Sequence, residues 1–342
     1  MKLNKINMKS NLLFVIFLSS LLFFIGCGKP NDSEQIGDFG NYKIVQKLST
    51  PGYAQDITID DKYAYICQGE GGLVILNIEN PQNPIKVSQI SEGVRGYSAK
   101  ILRKDTIIFI AAGDFGITVL NISNRSNPIV ISSNLNMKPA KNINIYGNYL
   151  FTAVSEQGVK IANISNPSEP DIRGTINTTG YARGSIVSSD TNKLFVACGE
   201  MGLSIFDIDD FQDGYPSTNL LAWYDTPGYA EDVVIDDSKS LAFIASGYFG
   251  LQIIDYSDIA NIRIVGYGNI NGGYAKDIIR DRNLVYIACQ KNGLQIFDVS
   301  IPSAPVLIGY VETKYAQGLT QDENYIYVVD EEEGLIVISK PK

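Results

Sequence analysis

Histidine is absent from this 342-residue chain. Its absence excludes a histidine-based catalytic triad, the commonest general base and every imidazole metal site. Basic residues are also scarce, with 28 Lys and Arg against 37 Asp and Glu and a formal net charge of −9. Such a chain is repelled by nucleic acid and by anionic membrane surfaces, so neither is expected as a direct partner. After residue 40 no apolar period of 3.6 residues is sustained, which argues for almost no helix. Long hydrophobic runs are missing too, with one exception near the N-terminus.

That exception, residues 12–25, is broken only by Ser19 and Ser20 and follows Lys2, Lys5 and Lys9. A charged stretch followed by an apolar segment too short for a comfortable membrane span reads as a signal peptide over residues 1–26. Its end, Phe24-Ile25-Gly26-Cys27, resembles the lipobox of bacterial lipoproteins, with Phe24 where leucine is usual. The resemblance implies a lipidated Cys27 and an extracytoplasmic protein held at the outer membrane or cell surface by that lipid alone. The alternative is an ordinary secretory signal or an uncleaved anchor with Cys27 incidental. Loss of the three leader lysines takes the net charge from −9 to −12. Residues 27–41 are polar and contain Gly, Pro, Asn and Ser, the composition of a flexible tether.

What the chain has in quantity is repetition. The segment GYAQDITIDDKYAYICQGEGGLVILN at 52–77 returns six times, opening at Gly96, Met137, Gly180, Gly228, Gly273 and Lys314. A glycine recurs at Gly72, Gly116, Gly158, Gly202, Gly250, Gly293 and Gly334, with spacings of 44, 42, 44, 48, 43 and 41 residues. Within each copy four runs of four to six residues, rich in Ile, Val and Tyr, are bounded by Gly, Pro, Asn or Asp. A period in the low forties with four short strands per unit predicts an all-β fold, a seven-bladed β-propeller over 42–340. Cys67, Cys198 and Cys289 fall in copies one, four and six, which a ring keeps apart. They are expected as small buried free thiols.

The third strand of each copy reads LVILN, ITVLN, VKIAN, LSIFD, LQIID, LQIFD or LIVIS, and several are followed by Asn-Pro turns. In this the chain resembles the LVIVD-repeat family of secreted and cell-surface β-propellers, from residue 42 onward. The polar residue ending that strand (Asn77, Asn121, Asn163, Asp207, Asp255, Asp298) is expected to fold back onto local backbone rather than to act in chemistry. The seventh copy ends after its third strand, while residues 42–48 (YKIVQKL) resemble a fourth strand. The N-terminal strand should therefore complete the last blade and remove the exposed edge. The fourth copy replaces its Asn-Pro turn with residues 209–216, a candidate contact loop ahead of the lone Trp223.

By analogy with other propellers, two residue sets should share one rim around the channel. One is the tyrosine of each GYA: Tyr53, Tyr97, Tyr181, Tyr229, Tyr274 and Tyr315, with Pro139 breaking the series. Packing between blades accounts for these more simply than binding does. The other is the turn before the third strand, with Glu70, Asp114, Glu156, Glu200, Tyr248, Lys291 and Glu332 at its tip. Phe115, Met201, Tyr248 and Phe249 put large apolar groups at these tips, beside other copies carrying Gly71, Gln157, Asn292 and Glu333. With the acidic Glu70, Asp114 and Glu200 they form the candidate partner-binding rim.

The expected function is a non-catalytic platform for protein interaction, adhesion or ligand binding, monomeric and without a cofactor. One tryptophan is too few for the repeated tryptophans of quinone-dependent propellers or for several sialidase Asp-boxes. The competing reading is a metal-dependent propeller hydrolase acting on a small lactone, ester or sugar. Asp56, Asp232 and Asp277, just after three GYA elements, would then hold Ca²⁺ with oxygen ligands as in some lactonase-like propellers. Lys100, Asn142, Gly184 and Gly318 occupy the other equivalents, so the acidic ring is irregular.

Overall fold

The computed structural model describes residues 39–341 except 95, 98, 135 and 209–217. The signal peptide, Cys27 and the 209–216 insertion lie outside the described residues. An N-terminal strand β1 (Lys43–Leu48) precedes six complete repeats. Blade one holds β2 (Asp56–Ile59), β3 (Tyr63–Gln68), β4 (Gly72–Asn77) and β5 (Ile85–Ile90). Blade two holds β6 (Lys100–Lys104), β7 (Ile107–Ala111), β8 (Ile117–Asn121) and β9 (Ile129–Asn134), and blade three holds β10 (Asn142–Tyr146), β11 (Tyr149–Ala153), β12 (Val159–Asn163) and β13 (Asp171–Ile176). Blade four follows with β14 (Gly184–Val187), β15 (Lys193–Ala197), β16 (Leu203–Ile208) and β17 (Thr218–Tyr224). Blade five has β18 (Asp232–Asp236), β19 (Leu241–Ala245), β20 (Leu251–Asp255) and β21 (Arg263–Gly268), and blade six has β22 (Asp277–Asp281), β23 (Leu284–Ala288), β24 (Leu294–Asp298) and β25 (Val306–Val311). Blade seven supplies only β26 (Ala316–Gln321), β27 (Tyr325–Asp330) and β28 (Gly334–Ser339). Short 3₁₀ turns at Asp237–Lys239 and Ile259–Asn261 are the helical segments among the described residues, and no helix there is long and apolar enough to cross a membrane.

Every blade is a four-stranded antiparallel sheet in simple order, and blade seven is completed by β1 beside β28. The register makes the substitution explicit. In blades one to six the third and fourth strands slip by one residue at the same place, as at Ile75/Leu76 and Ile296/Phe297. β1 carries the corresponding bulge between Ile44 and Gln46. A bulge bends and twists the outer edge of a sheet, so β1 has the shape of a native fourth strand.

The core is divided into seven apolar clusters, each shared by two neighbouring blades. One of them joins blade seven to blade one, through Val329, Leu335 and Tyr327 against Ala54, Ile57 and Ile66. The ring is thus closed by packing as well as by β1, and no blade face is left uncovered. Cys67, Cys198 and Cys289 are thiols outside any disulfide, buried in these interfaces, and burial raises all three above the ordinary thiol range.

The repeated glycine has two causes. Gly202 has φ +73, and a Cβ there would lie 2.3 Å from the Tyr224 carbonyl of the adjoining strand. Gly72, Gly158 and Gly334 meet the same obstruction, so only glycine lets the turn enter the third strand. The polar residues ending those strands fold back locally: Asn121 Oδ1 accepts from the Ser123 N–H at 2.8 Å, and Asp298 Oδ1 from the Ser300 N–H at 2.8 Å. Residues 39–41, expected in the tether, already run beside blade six, where Phe39 and Tyr310 exchange two backbone hydrogen bonds.

Candidate functional site at the channel mouth

The GYA element is the seam between blades. Its alanine (Ala54, Ala140, Ala182, Ala230, Ala275, Ala316) is fully buried. In blades three to seven it pairs with the turn of the preceding blade, through bridges such as Gly199 to Ala230 and Gly247 to Ala275. The tyrosine leans over that same turn, and a Cβ on Gly199 or Gly247 would lie 2.9 or 3.0 Å from the ring of Tyr229 or Tyr274. Packing therefore fixes where the tyrosines stand. It does not bury them, since Tyr53, Tyr97 and Tyr181 remain exposed and Tyr229, Tyr274 and Tyr315 are half-buried.

Immediately after each alanine, two residues per blade face the channel in two layers. The outer layer is Gln55, Ala99, Lys141, Arg183, Glu231, Lys276 and Gln317 in blade order. The inner layer is Asp56, Lys100, Asn142, Gly184, Asp232, Asp277 and Gly318. All but the two glycines line one cavity of about 280 Å³, which Tyr97 and Gln290 complete.

The inner layer brings the three predicted aspartates together around Lys100. Its Nζ lies 2.6 Å from Asp277, 3.5 Å from Asp56 and 3.7 Å from Asp232. The glycines of this layer have a steric cause, because a Cβ on Gly184 would lie 2.3 Å from Asp232 Oδ1 and one on Gly318 2.6 Å from Asp56 Oδ1. Asp56 accepts from the Ile101 N–H at 2.8 Å and Asp277 from the Leu319 N–H at 3.0 Å, so each ties its inner strand to that of the next blade. Asn142 donates to Asp232 across 3.3 Å.

Burial pushes the Asp56 carboxyl up to about 7 against the pull of Lys100, and it holds Asp232 well above the carboxylate range. Burial alone would lower Lys100, yet Asp277, Asp56 and Asp232 together raise it well above its ordinary value. Lys100 is thus a cation supplied by the chain at the point the three carboxylates share. A divalent ion held by the same three would have to displace that ammonium. Among the described residues no group of three or more Cys, Asp and Glu is arranged to hold a metal ion.

The outer layer is of opposite sign. Glu231 accepts from Arg183 Nη2 at 2.8 Å, Lys276 Nζ at 2.8 Å and the Tyr274 hydroxyl at 2.6 Å. Burial opposes its ionisation, but Lys276 and Arg183 prevail and hold it below the ordinary carboxylate value. Tyr97 approaches Glu331 at 3.4 Å, and burial with that carboxylate pushes its hydroxyl up to about 12.

The rim outside these layers carries the large apolar tips. Tyr248 is 76% exposed, Phe249 59%, Phe115 39% and Met201 36%. Glu70, Asp114 and Glu200 stand exposed beside them. Phe249 rests against Gly228 and Met201 against Gly180, where a Cβ would meet their side chains at 2.9 and 2.7 Å. Tyr248 meets Tyr274 edge-on at 4.9 Å, and the exposed Trp223 donates its indole N–H to the Met201 carbonyl.

A family model for the LVIVD repeat matches residues 51–91, 97–135, 139–178, 272–313 and 314–339, more than half of the chain. The chain belongs to the LVIVD-repeat family. A search of the curated proteins gives no match. Among solved structures, this LVIVD-repeat propeller is similar to the WD40 β-propeller domain of Doa1. The TM-score is 0.67 at 11% identity, covering 89% of this chain and 98% of that one. It is also similar to the computationally designed Ika8 protein, with a TM-score of 0.61 at 10% identity over 84% of this chain and 83% of that one. At such identities the likeness concerns the fold alone.

Sequence reasoning found the inner layer of this LVIVD-repeat protein and missed the outer one. The signal was one residue away: the position before each aspartate reads Gln, Ala, Lys, Arg, Glu, Lys and Gln around the ring. Its variability hid it, because a repeat is recognised by what stays constant.

Proposed function

We propose that this protein is a lipid-anchored envelope propeller that binds a protein partner on its channel face, through the rim of blades two, four and five. The observation that carries this reading is the exposure of Phe115, Met201, Tyr248 and Phe249 at turn tips on one face. Blades one, three, six and seven build the same turn with Gly71, Gln157, Asn292 and Glu333, so the fold does not require large apolar groups there. Aromatic and methionine anchors ringed by acidic residues are the composition of a recognition surface. Lys100 supports a non-catalytic channel, since it already provides the positive charge that the aspartates would otherwise take from a metal. The Gly26-Cys27 junction supports anchoring by an N-terminal lipid.

The rim is tested by capture from envelope extract with the 28–342 chain, which contains the whole closed ring. Phe249→Ala and Met201→Ala are expected to weaken capture by about 1–3 kcal/mol each, with a nearly unchanged melt. Lys62→Ala, at an exposed turn between the first two strands of blade one, should change neither. If the apolar variants unfold the ring, these side chains serve packing. If they melt normally and still bind fully, the partner docks elsewhere.

A further inference from the structure

The outer layer contains three cations and one carboxylate, and Glu231 satisfies only two of them. Lys141 is the third. Among the described residues its ammonium forms no hydrogen bond or ion pair, although it is half-buried and lines the cavity. Burial and then the neighbouring Arg183 pull it below the ordinary lysine range. A partly desolvated cation outside any ion pair, beside a guanidinium and a second ammonium and drawn only through space by Asp114 and Glu231, is costly unless an anion joins it.

The remaining lining chooses the kind of anion. Gln55, Gln290 and Gln317 line the same space with side-chain amides, and although Gln317 Nε2 already donates to Glu331 at 2.7 Å, an amide both donates and accepts more than one hydrogen bond. Hydroxyl groups have that same dual character. Beneath lie Asp56, Asp232 and Asp277, whose charge Lys100 already balances, so the inner layer offers no net positive charge to a second anionic group. A cavity of about 280 Å³ sits at the small end of ligand pockets, which run from roughly 300 Å³ upward. We infer that the channel mouth binds a small monoanionic hydroxy-carboxylate of sugar-acid size. Its carboxylate sits against Lys141 and Arg183, and its hydroxyls meet the glutamine amides. This site is distinct from the rim of the proposed function and uses none of its residues.

The experiment is calorimetric titration of the 28–342 chain with D-glucuronate, D-galacturonate, D-glucose and inorganic phosphate. Saturable binding of at least one uronate is expected, at least tenfold tighter than glucose or phosphate. Lys141→Met should weaken it at least tenfold without lowering the melt, because Lys141 has no hydrogen bond or ion pair to lose and its removal relieves an unpaired charge. Lys141→Arg, which keeps the charge, should retain most of the affinity, and Phe249→Ala should retain all of it. Glucose binding as well as the uronates would show that the charge is irrelevant and overturn the inference. So would phosphate binding alone, the absence of saturable binding by either uronate, or a Lys141→Met protein that folds and binds like wild type. A rim that fails its own capture test leaves this measurement unaffected.

Discussion

Lys100 decides the character of the channel at the scale of single residues. Three carboxylates brought within 2.6–3.7 Å of its Nζ are tolerable only because it is there. Lys100→Met should therefore destabilise the protein by about 3–5 kcal/mol at pH 8 in urea melts, the typical cost of removing one partner of a buried ion pair. The loss should shrink toward pH 5, where the orphaned carboxyls take up protons. A variant as stable as wild type at pH 8 would mean that the aspartates are neutralised in some other way. In the wild type the sign follows from Asp56, whose folded value is about 7 against about 3.9 for an unfolded aspartate. Its stabilising contribution is complete below the unfolded value and is lost as pH rises through the folded one. Glu231 works in reverse: its folded value is depressed, so its contribution is lost only as pH falls through the acid range. The melting temperature should accordingly decline between pH 5 and pH 8, and Asp56→Asn should flatten that decline. An equal slope in both proteins would remove Asp56 as its source.

At the scale of elements, β1 carries more than its length suggests. It pairs with β28 over Lys43–Leu48, and its neighbour Tyr42 is buried against blade six, where a Cβ on Gly309 would lie 2.5 Å from the Tyr42 ring. Deleting residues 42–48 therefore exposes the edge of β28 and opens the blade six–seven interface together. The whole domain should lose its cooperative melt or melt far lower, measured by circular dichroism. A linear array would lose one edge strand with little effect. An unchanged melting temperature would mean that the ring does not depend on this closure. The element-level fold was legible in advance because period-two strands and turn glycines recur in every copy. The bulge that shapes β1 was not, since it depends on the register against β28 rather than on residue type.

At the largest scale the described residues form a ring closed by β1, with three cations against one carboxylate in the outer layer of its channel mouth. Its expected attachment is the lipid on Cys27, twelve residues ahead of Phe39 where the described backbone begins. Cys27→Ala should release the protein from the membrane fraction or leave it unprocessed, read by fractionation and radiolabelled palmitate incorporation. Normal processing with full lipid labelling in the variant would refute that attachment. If the anchor holds, both the rim and the mouth belong to a tethered receptor, for which a short reach raises effective concentration at the surface.

By itself the sequence determined the number of blades, the strand that closes the ring and the candidate apolar tips. These follow from local rules that act identically in each copy: alternating strands, a glycine forced by positive φ and a close carbonyl, and a polar residue turning back on its own backbone. The character of the channel depends instead on contacts between blades. Asp56, Lys100, Asp232 and Asp277 are far apart in the chain and come from blades one, two, five and six, so no local pattern shows that one lysine would reach three aspartates. The same holds for Glu231, which pairs with Arg183 and Lys276 and leaves Lys141 outside any ion pair. Charge balance in a channel depends on through-space distance in a poorly solvated site, and that distance exists only once the ring has closed.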